Sequence, residues 1–265
     1  MTPAPALHPS EPRFPYFDTD FQAFAHRGGD WPGVGENSLT AFQRAVATGY
    51  RYLETDVHAT ADGVLVAFHD ESLERVTDGH GLIAEHTAAE LDAIRIGGTD
   101  PIPRLAELFA AFPNARFNLD IKAPGATAPL AALITQAGAQ DRVCVSSFSL
   151  ARITAFRRLV GRRVATGLTR WGVLLLWVGP PLLPRLVVGR AAQVPLRFWD
   201  GRLTLVTPRF VRTAHRYGIR VHVWTINDAP TMEQLIDLGV DGIVTDEPDV
   251  LKAVLIRRDL WEGHE

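Results

Sequence analysis

Residues 207–249 read TPRFVRTAHRYGIRVHVWTINDAPTMEQLIDLGVDGIVTDEPD, and the punctuation of that stretch belongs to a chain that alternates between helix and strand. Thr207-Pro208 supplies a cap and a first-turn proline ahead of Phe210, Val211 and Ala214, which share one helical face, and Gly218 closes the turn. A β-rich run at 219–225 follows, Asp228 with Pro230 opens a second helix, another run spans 241–245, and Asp246 with Pro248 opens a third. The same rhythm extends towards the N-terminus, with strands expected near 22–26, 51–57, 64–69, 116–121, 142–147, 163–168 and 192–195. Ser38 is suited to cap a helix whose Leu39, Phe42 and Val46 share a face, and Gly49 follows it. About eight βα units over roughly 240 residues is what a single TIM (β/α)8 barrel requires. An open doubly wound sheet is the runner-up, but no glycine-rich dinucleotide fingerprint follows a strand.

Composition narrows the class further. With 46% hydrophobic and 22% charged residues and a formal net charge of −3, the chain has enough apolar material for a core and no basic excess that would favour nucleic acid. The single cysteine, Cys144, lies in the run Val143-Cys144-Val145 and reads as a buried, inert thiol. The start, MTPAPALHPSEPRFPYFDTD, lacks the basic and apolar regions of an export signal, so the cytoplasm is the default expectation. Those 20 residues carry five of the 18 prolines and read as an arm on the surface, leaving 21–265 as one barrel domain.

Two segments break the alternation. Between Asp56 and Val64 there is no room for a crossover helix, and Thr60-Ala61-Asp62-Gly63 reads as the turn of an antiparallel hairpin. A two-residue loop at Asp62-Gly63 pairs positions whose numbers sum to about 125 and sets His69 opposite Asp56. The second segment, WGVLLLWVGPPLLPRLVV at 171–188, is the most apolar of the chain, but three prolines and its length exclude a membrane-spanning helix. It reads as core or a lid over the site, with peripheral lipid contact as the other reading; the arginines at 152, 157, 158, 162, 163 and 170 read as a solvated helix face.

Chemistry concentrates at expected strand ends, where a barrel carries its functional groups. Glu54 and Asp56 stand two apart, hence on one side of a strand, and Asp120 and Lys122 repeat that spacing. Ionised groups inside YLETDV and FNLDIK are costly unless paired or metal-bound. His26-Arg27 ends the first strand and His69-Asp70 the third. Two imidazoles suit acid and base roles near neutral pH, Arg27 and Lys122 offer donors to phosphate oxygens, and Glu54, Asp56 and Asp120 are able to hold one divalent ion. The set reads as metal-assisted cleavage at an anionic phosphorus centre, the plainer alternative being a salt-bridge cluster of Glu54, Asp56 and Lys122. His58, His80, His86, His215 and His222 receive no catalytic role.

HRGG at 26–29, EN at 36–37, ETDVHATADGVLVAFHDESLERVTDGHG at 54–81, NLDIK at 118–122, SSFS at 146–149, VWTIN at 223–227 and GVDGIVTDEPD at 239–249 follow one another along the chain. Through these motifs, which stand in family order, the sequence resembles the glycerophosphodiester phosphodiesterase family. The resemblance implies a TIM barrel that hydrolyses small glycerophosphodiesters to sn-glycerol 3-phosphate and an alcohol with Mg2+ or Ca2+. His26 and His69 would be the acid–base pair, Arg27 and Lys122 the phosphate ligands, and Glu54, Asp56 and Asp120 the metal ligands. Asn37 would help order the site, or merely cap the helix at 38, and Trp224 would line the glycerol pocket. Asp120 stands where the family often has glutamate, and Ser38 where threonine is usual. A lysophospholipase D-like activity, with an acyl chain sheltered by 171–188, and a noncatalytic phosphoester-binding barrel are the alternatives.

Overall fold

The computed structural model describes residues 14–179, 187–198 and 203–263. In chain order its strands are β1 (Gln22–His26), β2 (Tyr52–Ala59), β3 (Leu65–Ala67), β4 (Arg95–Ile96), β5 (Asp100–Pro101), β6 (Arg116–Ile121), β7 (Val143–Ser146), β8 (Ala165–Thr166), β9 (Ala191–Pro195), β10 (Arg197–Phe198), β11 (Leu203–Thr204), β12 (Arg220–Trp224) and β13 (Gly242–Thr245). The helices are α1 (Leu39–Ala47), α2 (Ala88–Leu91), α3 (Leu105–Ala111), α4 (Thr127–Gln136), α5 (Leu150–Val160), α6 (Arg170–Val178), α7 (Pro208–Arg216), α8 (Ala229–Leu238) and α9 (Pro248–Arg257). Eight strands run parallel in the order β8-β7-β6-β2-β1-β13-β12-β9. The Gly167↔Ala191 bridge brings the two end strands together, so the sheet is a nearly closed TIM barrel in one domain.

Strand alternation sorts the side chains into two cores. Ala25, Leu53, Val57, Leu119, Ile121, Val145, Val223 and Ile243 point outward and pack with the helices. On the inner face Phe24, Tyr52, Cys144, Ala165, Ala191 and Val244 form a second apolar layer across the barrel. Above that layer the inward positions turn polar. The register His26↔Glu54↔Asn118 and Asp56↔Asp120↔Ser146 sets those groups side by side at the C-terminal ends of the strands. Cys144 is fully buried in the inner layer, and burial pushes its thiol pKa up, in keeping with an inert role.

The expected surface arm needs correction in its last part; residues 1–13 lie outside the described residues. Tyr16 is 0% exposed and plugs the N-terminal end of the barrel, edge-on to Tyr52 at 5.4 Å. Its carbonyl accepts a 2.8 Å hydrogen bond from the Tyr52 hydroxyl, while Asp18 pairs with Arg51 and Arg116 at the strand starts. The aromatic repeats of the arm, Phe14, Tyr16 and Phe17, are what a proline-based reading overlooks. Tyr16→Ala is expected to cost about 3–5 kcal/mol in urea unfolding, as for other buried aromatic truncations. Tyr16→Phe keeps or raises stability, because the buried Tyr16 hydroxyl has no hydrogen-bond partner.

Ser38, Thr207 and Asp228 cap their helices as expected, each accepting from the backbone N–H three residues on. Asp246 does not: Glu247 holds the N-cap position of α9, and the Asp246 carboxylate is engaged elsewhere. The β2–β3 hairpin exists, but its pairs are Val57↔Ala67 and Ala59↔Leu65. Three residues, Ala61, Asp62 and Gly63, fill the turn closed by Thr60 and Val64, so Phe68, not His69, lies beside Asp56. The chain from β3 to α3 is an insertion with its own cluster, including Val66, Phe68, Leu73, Ile83, Leu91 and Ile96. That insertion carries His69 to the barrel mouth from the side.

Candidate active site

His26, Arg27, Glu54, Asp56, His69, Asp120, Lys122 and Trp224 line one cavity of about 780 Å3 at the C-terminal mouth of the barrel. Asn37 does not line it. The residue is buried behind β2, where the Thr55 hydroxyl donates to its Oδ1 at 2.7 Å, and Ser38 supplies the helix cap. Arg27 (φ 51) and Asn37 (φ 59) both hold left-handed backbone, and the Asn37 N–H donates to the Arg27 carbonyl at 2.8 Å. Such conformations cost about 1–3 kcal/mol each and persist where the surroundings enforce them. Gly28 (φ 88) completes the bend, and a Cβ there would sit 2.7 Å from that of Ala41.

The three carboxylates are buried and only partly compensated. Lys122 Nζ lies 2.8 Å from Asp56 Oδ1 and 2.9 Å from Asp120 Oδ2, and Arg27 Nε lies 3.3 Å from Asp56 Oδ2. The Arg27 backbone N–H donates to Glu54 Oε2 at 3.3 Å. The salt-bridge alternative therefore holds for Asp56 with Lys122, whereas Glu54 faces His26 Nε2 at 3.8 Å. Asp56 Oδ2 and Asp120 Oδ1 remain buried without a hydrogen-bond partner. Burial, reinforced by Asp56, raises the Glu54 pKa, and burial raises that of Asp120 against the pull of Lys122. Among the described residues no three His, Cys, Asp or Glu side chains are arranged so that they could hold a metal ion together as they stand. Two orphaned carboxylate oxygens and a third carboxyl strained by burial nevertheless fit a divalent cation, for which hard oxygen donors are the usual ligands.

Each histidine has one nitrogen clamped and the other left for chemistry. His26 Nδ1 lies 2.5 Å from Asp246 Oδ1; Asn227 Nδ2 donates to Asp246 Oδ2 and the Asp246 N–H donates back to Asn227 Oδ1, both at 2.9 Å. His69 Nδ1 lies 2.5 Å from Asp70 Oδ1. Arg75 Nε donates to Asp70 Oδ2, and its two terminal nitrogens bond Glu36, whose Oε1 also accepts from Arg27 Nη1 at 3.0 Å. One guanidinium thus ties the partner of His69 to the partner of Arg27. His58 is a packing residue whose Nε2–H donates to the His69 carbonyl at 3.1 Å. Burial opposes charge on His26, but Glu54 and then Asp246 outweigh it, so its pKa is raised. Each ring is thus held at Nδ1 by a carboxylate, and His26 Nε2 faces Glu54.

Sequence reasoning missed Glu36, Asp70, Arg75, Asn227 and Asp246 as site-building residues. Their signals were present in EN, HD, the arginine of DESLERVTDG, WTIN and TDEP, but nothing local says which imidazole each carboxylate meets. Much of the remaining cavity lining is apolar, and it begins beside Lys122, whose Nζ lies 5.8 Å from the centre of the Phe148 ring. Phe148, half exposed, stands edge-on to Trp224 at 6.0 Å, and α6 contributes Val173, Leu174 and Trp177. Within the described part of the apolar 171–188 segment, Gly172, Val173 and Leu176 are buried, while Trp171, Val178 and Val188 are exposed and line no part of the cavity; residues 180–186 lie outside the described residues. No described helix is long and apolar enough to cross a membrane. Arg157 departs from the solvated-face expectation, since its guanidinium bonds Thr166, Gly167 and Val188 across the β8–β9 seam.

Ionisable groups gathered on the C-terminal ends of parallel barrel strands, around one cavity, place a candidate active site where TIM-barrel enzymes carry theirs. Residues 26–250 match the Glycerophosphoryl diester phosphodiesterase family, and the chain belongs to that family, whose members cleave phosphoric diesters. A Mycobacterium tuberculosis protein named "Probable glycerophosphodiester phosphodiesterase 2" is 38% identical over 248 residues, covering 91% of this chain and 93% of its own. A glycerophosphodiester phosphodiesterase of Caldanaerobacter subterraneus is 30% identical over 241 residues, covering 86% and 94%. The fold is shared with an Oleispira antarctica phosphodiesterase solved in complex with the product sn-glycerol-3-phosphate, at a TM-score of 0.73 and 24% identity over 89% of this chain and 96% of that one.

Proposed function

We propose that the enzyme hydrolyses glycerophosphodiesters to sn-glycerol 3-phosphate and an alcohol, with His26 and His69 as its acid–base pair. The observation that carries this reading is the pair of imidazoles, each held at Nδ1 by an aspartate, on one cavity with three buried carboxylates and two cations. Arg27 and Lys122 draw the phosphodiester anion to that end, and Trp224 supplies a flat wall for the glycerol backbone. One histidine takes the proton of the nucleophile at Nε2 and the other delivers a proton to the leaving oxygen. A divalent cation, Mg2+ or Ca2+, would be held by Glu54, Asp56 and Asp120 and would neutralise charge on the nonbridging oxygens. The nucleophile is water or the glycerol's own hydroxyl; the second route passes through a cyclic phosphate, which phosphorus NMR at early times detects.

The test is release of alcohol from a panel of glycerophosphodiesters with and without divalent ions. Binding without turnover under all ions would instead favour the noncatalytic reading. Asp246→Asn is expected to lower kcat roughly 10–100-fold, the usual scale for losing the carboxylate behind a working histidine. Because Asp246 helps raise the His26 pKa, its removal shifts the limb that His26 sets to lower pH. Movement of the ascending limb marks His26 as the base, and movement of the descending limb marks it as the acid.

A further inference from the structure

Most of the positive charge in the cavity is already shared with carboxylates. Arg27 pairs with Glu36 and Asp56, and Lys122 pairs with Asp56 and Asp120. Arg170 departs from that pattern. It opens helix α6 and lines the cavity on an apolar wall, to which the loop after β7, α6 and the β10–β11 pair contribute Phe148, Leu174 and Phe198. The carboxylates lining the cavity, Glu54, Asp56 and Asp120, stand at the reacting end, and among the described residues none pairs with the Arg170 guanidinium. The side chain is nevertheless held in place. Its Cζ lies over the Phe148 ring, 5.2 Å from the centre, and Lys122 Nζ lies over the same ring at 5.8 Å. A cation in the first turn also works against the dipole of its own helix, and α6 has no acidic residue there to offset it. A guanidinium without a carboxylate, fixed on a cavity wall at a position that weakens its helix, is accounted for by an anion that arrives with the substrate.

We propose that Arg170 selects the alcohol half of the substrate, and that the preferred glycerophosphodiesters carry a second anion, phosphate or carboxylate, on that alcohol; this rests on the phosphodiesterase reading above. The glycerol half brings no charge of its own, so the second anion belongs to the leaving alcohol. Arg170 and Lys122 stand no further apart than their distances to one ring centre allow. A three-carbon bridge between two phosphoester groups reaches about 7 Å when extended, which suits that span once each anion sits against its cation. With the phosphodiester on Lys122, the edge of the planar Arg170 fork receives two oxygens of the second anion while its face stays on Phe148. A choline or ethanolamine head group meets the reverse situation. The aromatic ring suited to its cation already has two positive charges beside it, so the same wall selects against it. The net chemistry is unchanged: the oxygen of water joins phosphorus, the P–O bond to the alcohol breaks, and the alcohol leaves protonated with its own anion still attached.

The experiment measures kcat and KM for three glycerophosphodiesters of one carbon count, whose alcohols are 1,3-propanediol, its monophosphate and 3-hydroxypropanoate, with glycerophosphocholine as the cationic comparison. KM is expected to be at least about tenfold lower for one or both anionic compounds than for the propanediol compound, the scale of one hydrogen-bonded pair between charged groups. Glycerophosphocholine is expected to have the highest KM of the four. The anionic compound with the larger fall identifies whether phosphate or carboxylate is preferred. Arg170→Gln is expected to erase the anionic-to-neutral KM ratio within the variant protein, and Arg170→Glu to invert it. Both replacements take the cation out of the first turn, so neither weakens α6. Equal KM for the neutral and anionic compounds in the parent, or a ratio kept in both variants, overturns the proposal, even if all four compounds are turned over. Turnover of none of them would instead sink the phosphodiesterase reading, and calorimetric Kd values for the same compounds, in parent and variants, would then decide the Arg170 assignment by the same ratios.

Discussion

Alanine at His26 or at His69 is expected to lower kcat for glycerophosphocholine at least about 100-fold while leaving the unfolding midpoint in urea nearly unchanged. The two halves of that expectation have separate physical sources. Catalytic loss follows because each ring presents one unclamped nitrogen to the cavity, and no other described imidazole lines it. His58 is occupied by the His69 carbonyl, His215 pairs with Asp241, and His222 is sealed inside the barrel beside Gln22. Stability is spared because both rings are partly exposed at the mouth, so truncation opens no core cavity. Asp246 keeps Asn227 as a partner after His26 is removed, and Asp70 keeps Arg75. A variant with near-normal turnover would strike that histidine from the mechanism.

Excess chelator is expected to abolish turnover, and one of Mg2+ or Ca2+ to restore it selectively. Three buried carboxyls share two fixed cations: Asp120 Oδ1 has no hydrogen-bond partner, and Asp56 Oδ2 has the Arg27 guanidinium at 3.3 Å but no hydrogen bond. Replacing one acid, as in Asp56→Asn, is expected to weaken cation affinity in titration calorimetry as well as activity, a readout that does not depend on turnover. The pH dependence has a definite sign. Burial and Asp56 raise the Glu54 pKa, a proton there competes with the cation, and apparent affinity therefore strengthens as pH rises until Glu54 is fully ionised. Full activity in excess chelator would reject the cation, leaving Lys122 between Asp56 and Asp120 as the compensating charge.

The orienting network adds a test of a different kind. Arg75 is exposed and lines no part of the cavity, yet its planar fork spans Asp70 and Glu36. Arg75→Lys keeps the charge but not the fork, so it is expected to behave more like Arg75→Gln than like the parent in kcat. Parent-like kcat in both variants would show that Asp70 and Glu36 hold their partners without it.

Much of this architecture was written locally. The cap and proline pairs at Thr207 and Asp228 and the runs of β-rich residues announce the βα rhythm, because capping and period-two alternation depend on a few neighbouring residues. The same alternation made Glu54, Asp56, Asp120 and Lys122 legible as inward groups, since apolar residues flank each of them. The hairpin was legible too, but its register was not: one extra residue in the turn moves Phe68 into the place expected for His69, and turn length is a property of the closed loop.

What the sequence by itself determined is therefore the order of elements, the polarity of each strand face and the residue types at the strand ends. Tertiary structure alone decided the partnerships: Asp246 reaches a histidine 220 positions away, Arg75 bridges two loops, Tyr16 turns under the barrel rather than along its surface, and three distant segments meet as one apolar wall. The reason is geometric. Local periodicity states which way a side chain leaves the backbone, but the identity of its neighbour follows from how the strands close into a ring, and that is a property of the whole sheet.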